Sequence, residues 1–254
     1  MIDCHCHLEQ EEYNGKREQI IEECKKHLRA IVTCCAHPKD LNLTLELVKK
    51  YKNFVFCSVG IHPEYVKEIS ESEINDVIEK IDSNKKFIVA IGEVGLDYYW
   101  VKEKEWQEKQ KILFKKFILL AKKFELPLVI HSRNATEDAI KILEEEGMKH
   151  KKVLMHLFTD RKFLQKVLDN GWFVTIGQNI LRSKNAKKIA RDTPLNRILL
   201  ETDSPWFAQQ EQEYSLPTNV KIVGEKIAEI KKIKLEEVEK QTDLNAINFF
   251  NLIF

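Results

Sequence analysis

Short, continuous apolar runs alternate with amphipathic stretches along the whole chain. The runs are 29–36 (RAIVTCCA), 54–60 (FVFCSVG), 87–92 (FIVAIG), 127–131 (PLVIH), 153–157 (VLMHL), 172–177 (WFVTIG) and 197–201 (RILLE). They are rich in β-branched and aromatic residues and lack in-out alternation, the pattern of strands buried on both faces of a parallel sheet. The opening MIDCHCH fits the rhythm as a first strand by position more than by hydrophobicity. Between the runs, apolar residues fall at helical spacing. Ile74, Val77, Ile78 and Ile81 form one stripe, and Leu113, Phe114, Phe117, Leu120, Ala121 and Phe124 a longer one. Eight strands with a helix after nearly each one predict a parallel sheet, closed or open. No G-x-G-x-x-G or P-loop sequence follows a strand, which weighs against the open nucleotide-binding form. The reading is an α/β fold: a single (β/α)8 TIM barrel over residues 1–254, with its site at the C-terminal rim of the strands.

Composition narrows the function classes. The 254 residues are 43% hydrophobic and 32% charged, which excludes disorder. Forty-one Lys and Arg against 40 Asp and Glu leave a net charge of +1, so no global positive field attracts a polyanion. The first ten residues, MIDCHCHLEQ, carry an acid and two His where a signal peptide needs an apolar stretch. No apolar run approaches the ~18 residues of a membrane span. All six Cys (4, 6, 24, 34, 35 and 57) crowd into the first quarter, a poor disulfide framework. The expectation is a cytoplasmic protein with reduced thiols and no membrane partner. Simple strand alternation would turn Cys4 and Cys6 away from His5 and His7, so that the two pairs could not share a metal.

Position carries the chemistry. His5 and His7 end the first strand, His62 follows the third, Glu93 the fourth, His131 the fifth, His156 the sixth and Asp203 the eighth. In a parallel barrel those ends converge on one rim. Any one of these residues alone has an ordinary structural explanation; five His, one Glu and one Asp at equivalent strand ends do not. Imidazole with carboxylate suits Zn, Mn, Fe or a similar divalent ion, and Mg where carboxylates and water dominate. The set exceeds one tetrahedral ion and fits two ions ~3.5–4 Å apart with a carboxylate between them, an arrangement suited to displacement at phosphorus. From the residues alone the chain reads as a metal hydrolase.

IDCHCHL, VGIHPEY, AIGEVGLDYYW, LPLVIHSRNA and LLETDSPWF resemble, in order, five motifs of the TatD family of metal-dependent deoxyribonucleases, within the amidohydrolase-like barrels. The resemblance spans essentially the whole chain. It implies a TIM barrel that removes nucleotides from DNA 3′ to 5′ with two divalent ions (Mg, Mn or Zn). By the same motifs His5, His7 and Asp203 would hold one ion, His131 and His156 the other, and Glu93 would bridge them. Asp203 and Glu93 would be the catalytic pair, with Asp203 orienting or deprotonating the attacking water. His62 would contact a phosphate oxygen, with Arg133, Tyr98 and Trp206 as further substrate contacts. The expected substrate is DNA, with RNA or aminoacyl-tRNA as alternatives, and no obligate protein partner.

Two segments depart from the family pattern. H-C-F-S-G after the sixth strand reads HLFTD, and the basic R-G-x-x-N-x-P element after Asp203 reads AQQEQEYSLPTNV, with Pro217 and Asn219 as its remnant. The runner-up is therefore a metal-dependent ester or amide hydrolase, such as one clearing D-aminoacyl-tRNA. A dihydroorotase-type amidohydrolase fits less well, because those barrels commonly place a carboxylated Lys where this chain has Glu93. A metal-binding scaffold without turnover is the non-enzymatic alternative.

Overall fold

The computed structural model describes residues 1–208 and 213–254. Its strands are β1 (Ile2–Cys6), β2 (Ala30–Cys35), β3 (Val55–Val59), β4 (Ile88–Asp97), β5 (Leu128–Arg133), β6 (Val153–Met155), β7 (Phe173–Ile176) and β8 (Ile198–Leu200). They pair in parallel in sequence order from β1 to β8. Helices α1 (Arg17–Cys24), α2 (Leu41–Lys50), α3 (Glu71–Asn84), α4 (Lys104–Phe124), α5 (Thr136–Glu145), α6 (Leu164–Asp169), α7 (Lys184–Asp192) and α8 (Val220–Lys231) follow the eight strands, and α9 (Leu235–Phe250) ends the fold. The TIM barrel read from the apolar rhythm is the architecture found. The helical stripes land as expected: Ile74, Val77 and Ile81 are buried on α3, and Leu113, Phe114, Phe117, Leu120 and Ala121 on α4. No helix among the described residues is long and apolar enough to cross a membrane.

Two apolar clusters divide the sheet's faces. The larger lies between strands and helices. The smaller takes Ile2, Ala30, Ala90, Val129, Leu154 and Leu199 from six strands, which can meet only inside the barrel. Phe249, Phe250 and Leu252 join that inner cluster, so α9 and the residues after it seal one end with hydrocarbon. The opposite end, at the strand C-termini, is left to polar groups.

The β8–β1 seam is closed by the segments that carry those polar groups. Asp203 N–H donates to the His5 carbonyl at 2.9 Å, and His7 N–H to the Ser204 carbonyl at 2.7 Å. Beneath them the fully buried Asp3 carboxylate accepts from Thr202 N–H at 3.0 Å and Thr202 Oγ1 at 2.6 Å, and from His5 N–H at 3.4 Å. Asp3→Ala strands these buried donors at ~1–3 kcal/mol each for the two short bonds, so a loss of about 2–6 kcal/mol of unfolding free energy is expected. Urea denaturation measures it, and a loss under ~0.5 kcal/mol would show that the seam does not rest on Asp3.

Candidate metal centre

Three strands bring their polar residues inward by plain alternation. Val129, Leu154 and Leu199 belong to the inner cluster, so the residues two further along, His131, His156 and Glu201, share their face, and Asp203 follows Glu201 by two in the segment after β8. Two strands break the rule. The β1–β2 register shifts between Asp3 and Cys6, and the β4–β5 register between Ile91 and Val94. Each irregularity re-aims the residues after it, as bulges beside sites do. Cys4 stays with the inner cluster while Cys6 joins the outer one, and His5 and His7 turn inward. The expectation that both cysteines face away from the histidines thus fails for Cys4. All six cysteines are buried and free.

On β4, two glycines flank Glu93. A Cβ on Gly95 would lie 2.0 Å from the His131 carbonyl oxygen, and one on Gly92 2.6 Å from Val129; both have φ near +145°. Only glycine lets β4 approach β5 this closely with this backbone. Glu93 N–H donates to Cys34 Sγ at 3.1 Å, which anchors the strand from below.

Glu93 occupies the middle of the site. Its Oε2 lies 3.4 Å from His5 Nε2, and its Oε1 2.8 Å from His131 Nδ1, 3.5 Å from His156 Nε2 and 3.7 Å from His62 Nε2. Asp203 Oδ1 lies 3.4 Å from His7 Nε2, 3.7 Å from His5 Nε2 and 4.0 Å from His156 Nε2. Donor atoms of His5, His7 and Asp203 lie within 4.8 Å of one another, as do those of His5, Glu93 and His156, and those of His62, Asp97 and His131. All six residues expected as ligands are therefore brought together. The grouping differs from the expected partition, with His131 set beside His62 and Asp97.

The donor set fits cations. His5 Nε2 and His7 Nε2 face each other at 3.2 Å, and two imidazole lone pairs can do so only with a proton or a metal ion between them. His5 Nδ1 is buried without a hydrogen-bond partner. Burial pulls the His131 imidazole down, but hydrogen bonds to Asp97 and Glu93 outweigh it and raise it to about 9. Burial likewise opposes protonation of His156, yet the charges of Glu201 and Glu93 lift it to about 10. Burial works to raise Glu93, but neighbouring His156 and His131 hold it well below the usual carboxylate range. Without metal, protons on His7, His131 and His156 supply the positive charge that these carboxylates demand.

Three carboxylates outside the expected set orient three of the rings. Glu9 Oε1 sits 3.2 Å from His7 Nδ1, Asp97 Oδ2 2.8 Å from His131 Nε2, and Glu201 Oε2 2.9 Å from His156 Nδ1. Such partners fix tautomer and ring orientation in metal sites. Their sequence signal is spacing: Glu9 follows His7 by two, Glu201 precedes Asp203 by two, and Asp97 lies two pleats past Glu93.

The remaining expected contacts divide. His62 is lowered to about 3, chiefly by burial and then by His131, so it is neutral. Its Nδ1 accepts from Glu64 N–H at 3.3 Å, which leaves the ring proton on Nε2, facing the site. Arg133 lies at the pocket rim with its guanidinium 4.0 Å from the Tyr99 ring centroid and 5.6 Å from that of Trp100. Trp206 packs 4.4 Å from the His7 ring and is 43% exposed. The expectation for Tyr98 is corrected. Strand β4 runs on to Asp97, so Glu93, Gly95 and Asp97 point inward, while Leu96 and Tyr98 face the helices. The Tyr98 hydroxyl donates to Asp138 on α5, and Trp100 lines the pocket in its place. Of the altered loop at 208–216, residues 209–212 lie outside the described residues. Pro217 and Asn219 are buried, the latter bonded to Gln178 and Ser215.

A family model described as TatD related DNase matches residues 2–251. Human "Deoxyribonuclease TATDN3" is 33% identical over 260 residues, covering 98% of this chain and 94% of that protein. The Bacillus subtilis "Uncharacterized metal-dependent hydrolase YabD" is 32% identical over 258 residues, covering 99% of each. The crystal structure of YJJV, a TatD homolog from Escherichia coli, superposes with a TM-score of 0.90 at 21% identity, over 100% of this chain and 98% of that one. At that identity it speaks for the fold alone.

Metal binding should release protons. His131 and His156, raised to about 9 and about 10, are protonated at pH 7 in the metal-free chain, whereas a metal takes neutral imidazole. Loading with Mn or Zn is expected to release about two protons or more per chain at pH 7, so affinity strengthens as pH rises from 6 to 8. Calorimetry in buffers of different ionisation enthalpy reads the proton count, and a count of zero would remove the imidazoles from the ligand set.

Proposed function

The chain belongs to the TatD-related DNase family, and from that premise we propose that its rim site removes nucleotides from the 3′ ends of DNA with two divalent ions. It is a metal-dependent hydrolase of ester bonds. The observation behind the finer reading is the place of Glu93, whose two oxygens face different imidazoles, His5 on one side and His131 with His156 on the other. His5, His7 and Asp203 would hold one ion, His131 and His156 the second, with Glu93 shared. When bound, the ions supply Lewis acidity that generates the nucleophile and stabilises the leaving oxygen. Mixed imidazole and carboxylate donors suit Mn or Zn as well as Mg.

The chain's own groups do the rest. Burial would raise the Asp203 carboxyl, but its bond to His7 and the charges of His156 and His5 hold it low, so it stays an anion able to take the proton of the attacking water. Neutral His62 offers Nε2–H to a phosphoryl oxygen, and its donor role does not change across physiological pH. Arg133 meets a phosphate at the rim, and Trp100 and Trp206 offer exposed ring faces to unpaired bases, each stack worth ~1–3 kcal/mol. The pocket, about 840 Å³, lies in the range of ligand pockets and exceeds what water alone requires. Residues 1–254 act as one unit in this reading, since β1 and the segment after β8 both supply ligands.

End-labelled single-stranded DNA with Mg or Mn should shorten stepwise from the 3′ end, and a 3′-terminal phosphorothioate should block it. Glu93→Gln should lower the rate by roughly 10³-fold with the helical circular dichroism unchanged, since one bridging ligand supports several kcal/mol of transition-state stabilisation. Equal cleavage of the blocked strand would rule out the exonuclease, and full activity in Glu93→Gln would remove the shared-ligand role. Faster turnover of an aminoacyl ester in direct competition would move the substrate to esters. A separate test addresses the donor role: His62→Ala should cost ~10²-fold in kcat, and His62→Gln, which keeps an N–H donor, should recover part of it.

A further inference from the structure

The rim is electrically lopsided. The segments after β6 and β7, residues 156–163 and 177–188, hold Arg161, Lys162, Arg182, Lys184, Lys187 and Lys188 against a single acid, Asp160. The segments after β1 and β3, residues 7–16 and 60–68, hold four acids at least partly open to solvent (Glu11, Glu12, Glu64 and Glu68) against Lys16 and Lys67, Glu9 being buried against His7. A phosphate chain leaving the site is therefore repelled on one side and attracted on the other. The described part of the loop after Asp203 adds no cation, and Glu213 adds an acid.

The basic side is a ridge of these two segments, both of which start at the pocket wall. Thr159 and Asn179 line the pocket. The Thr159 carbonyl accepts from Arg161 N–H at 3.1 Å, and the Asn179 carbonyl accepts from Arg182 and Ser183 N–H at 3.1 and 2.8 Å. The cations thus begin within one turn of the lining residues. Arg161 is bonded to Asp192 on α7 at 2.9 Å, which ties the β6 segment to the β7 segment. That pair consumes Arg161. Lys162, Arg182 and Lys184 are exposed and form no ion pair among the described residues. Other surface lysines are committed to carboxylates, as in Lys67–Glu103, Lys111–Asp138 and Lys116–Glu71. Unpaired ones such as Lys232 and Lys234 lie at the far end of the barrel, so Lys162, Arg182 and Lys184 are set apart by their place beside the pocket. Lys162 lies over the Phe163 ring at 4.5 Å, but an external anion reaches these three cations without first displacing a carboxylate among the described residues.

We propose that the ridge carrying Lys162, Arg182 and Lys184 is a phosphate track that holds the single DNA strand leading away from the scissile bond. It rests on the reading of the site as a phosphodiesterase and deepens it by assigning the path of the uncleaved strand. Charge alone gives a sequence-independent grip with counterion release. The exposed rings of Trp100 and Trp206 at the same mouth favour an unpaired strand, whose bases are free to stack, over a duplex.

The test is binding of a fluorescein-labelled 15-nucleotide single strand, read by anisotropy in EDTA so that no turnover occurs. The variant is K162E/R182E/K184E. The control is K232E/K234E/K240E, which makes the same charge change on exposed residues at the opposite end, around the α8–α9 turn. The track variant should bind at least ~10-fold more weakly than the control, and its salt dependence should flatten by about 2 in d log K/d log[salt], from three contacts at ~0.7 each. In turnover assays with Mg or Mn the loss should grow with strand length, from little on a dinucleotide to the full factor on the 15-mer. Equal behaviour of variant and control overturns the track, as does a length-independent loss. Equal weakening with a 15-base-pair duplex overturns the single-strand assignment. Track-dependent binding by a wild-type chain that cleaves no phosphodiester supports the track and sinks the reaction reading instead.

Discussion

Buried carboxylates set the terms for the open end of the barrel. Glu93, Asp97, Glu201 and Asp203 are all buried within one group of imidazoles. Taking a carboxylate out of water costs several kcal/mol unless a cation or several donors compensate it. Among the described residues no Lys or Arg is paired with these four; the partners are five imidazoles, which carry charge only by taking up protons or by ceding their lone pairs to a metal. The raised His131 and His156 and the depressed Glu93 and Asp203 are two sides of that one demand. Divalent ions meet it with fewer particles and free the imidazoles of protons, so the burial that makes this end unstable empty gives it affinity for metal.

The same demand explains why the strands are irregular where they are. Strands β5 and β6 reach the site by alternation and need no distortion. Strands β1 and β4 do not: their inner-cluster residues Ile2 and Ala90 would place His5 and Glu93 outward, an odd number of positions away. The register shifts in β1 and β4 correct the parity, and Gly92 and Gly95 make the β4 correction sterically possible. The barrel's closure is bound up in this, because Asp203 and His5 are joined through backbone as well as through their side chains. Asp203 itself holds a φ of +56°, uncommon for a residue with a side chain and a cost of order 1–3 kcal/mol, retained by its bonds to His5 and Trp206. Local strain, seam closure and donor placement at this rim cannot be separated.

That division decides how much of the molecule is legible in the chain. Continuous apolar runs reveal parallel strands because burial on both faces erases alternation, and strand ends reveal the site because all eight converge on one rim. His131, His156 and Asp203 are legible in this way from position alone. A bulge leaves no hydrophobic signature, so the facing of Cys4 is not legible, and the length of β4 is hidden because GEVGLD is too glycine-rich and acidic to look like a strand. That hidden extension is also why Tyr98 looks from sequence like a rim aromatic although it faces the helices. Glu9, Asp97 and Glu201 sit inside or beside the quoted motifs, yet an acid two residues from a ligand is indistinguishable from a surface charge until the fold shows which face it shares.

The net charge of +1 conceals an arrangement with a direction. Charge held inside the site and charge paired along the helices both cancel locally, within the ~10 Å screening distance at ordinary salt. An approaching polyanion meets the remainder, and on this rim the remainder is negative beside β1 and β3 and positive beside β6 and β7. A near-neutral protein can therefore still orient a charged chain, provided that its uncompensated charges lie within a screening length of the reacting centre and on one side of it. Overall charge governs how often such partners collide with the protein; the asymmetry around the pocket governs which way a captured strand can lie.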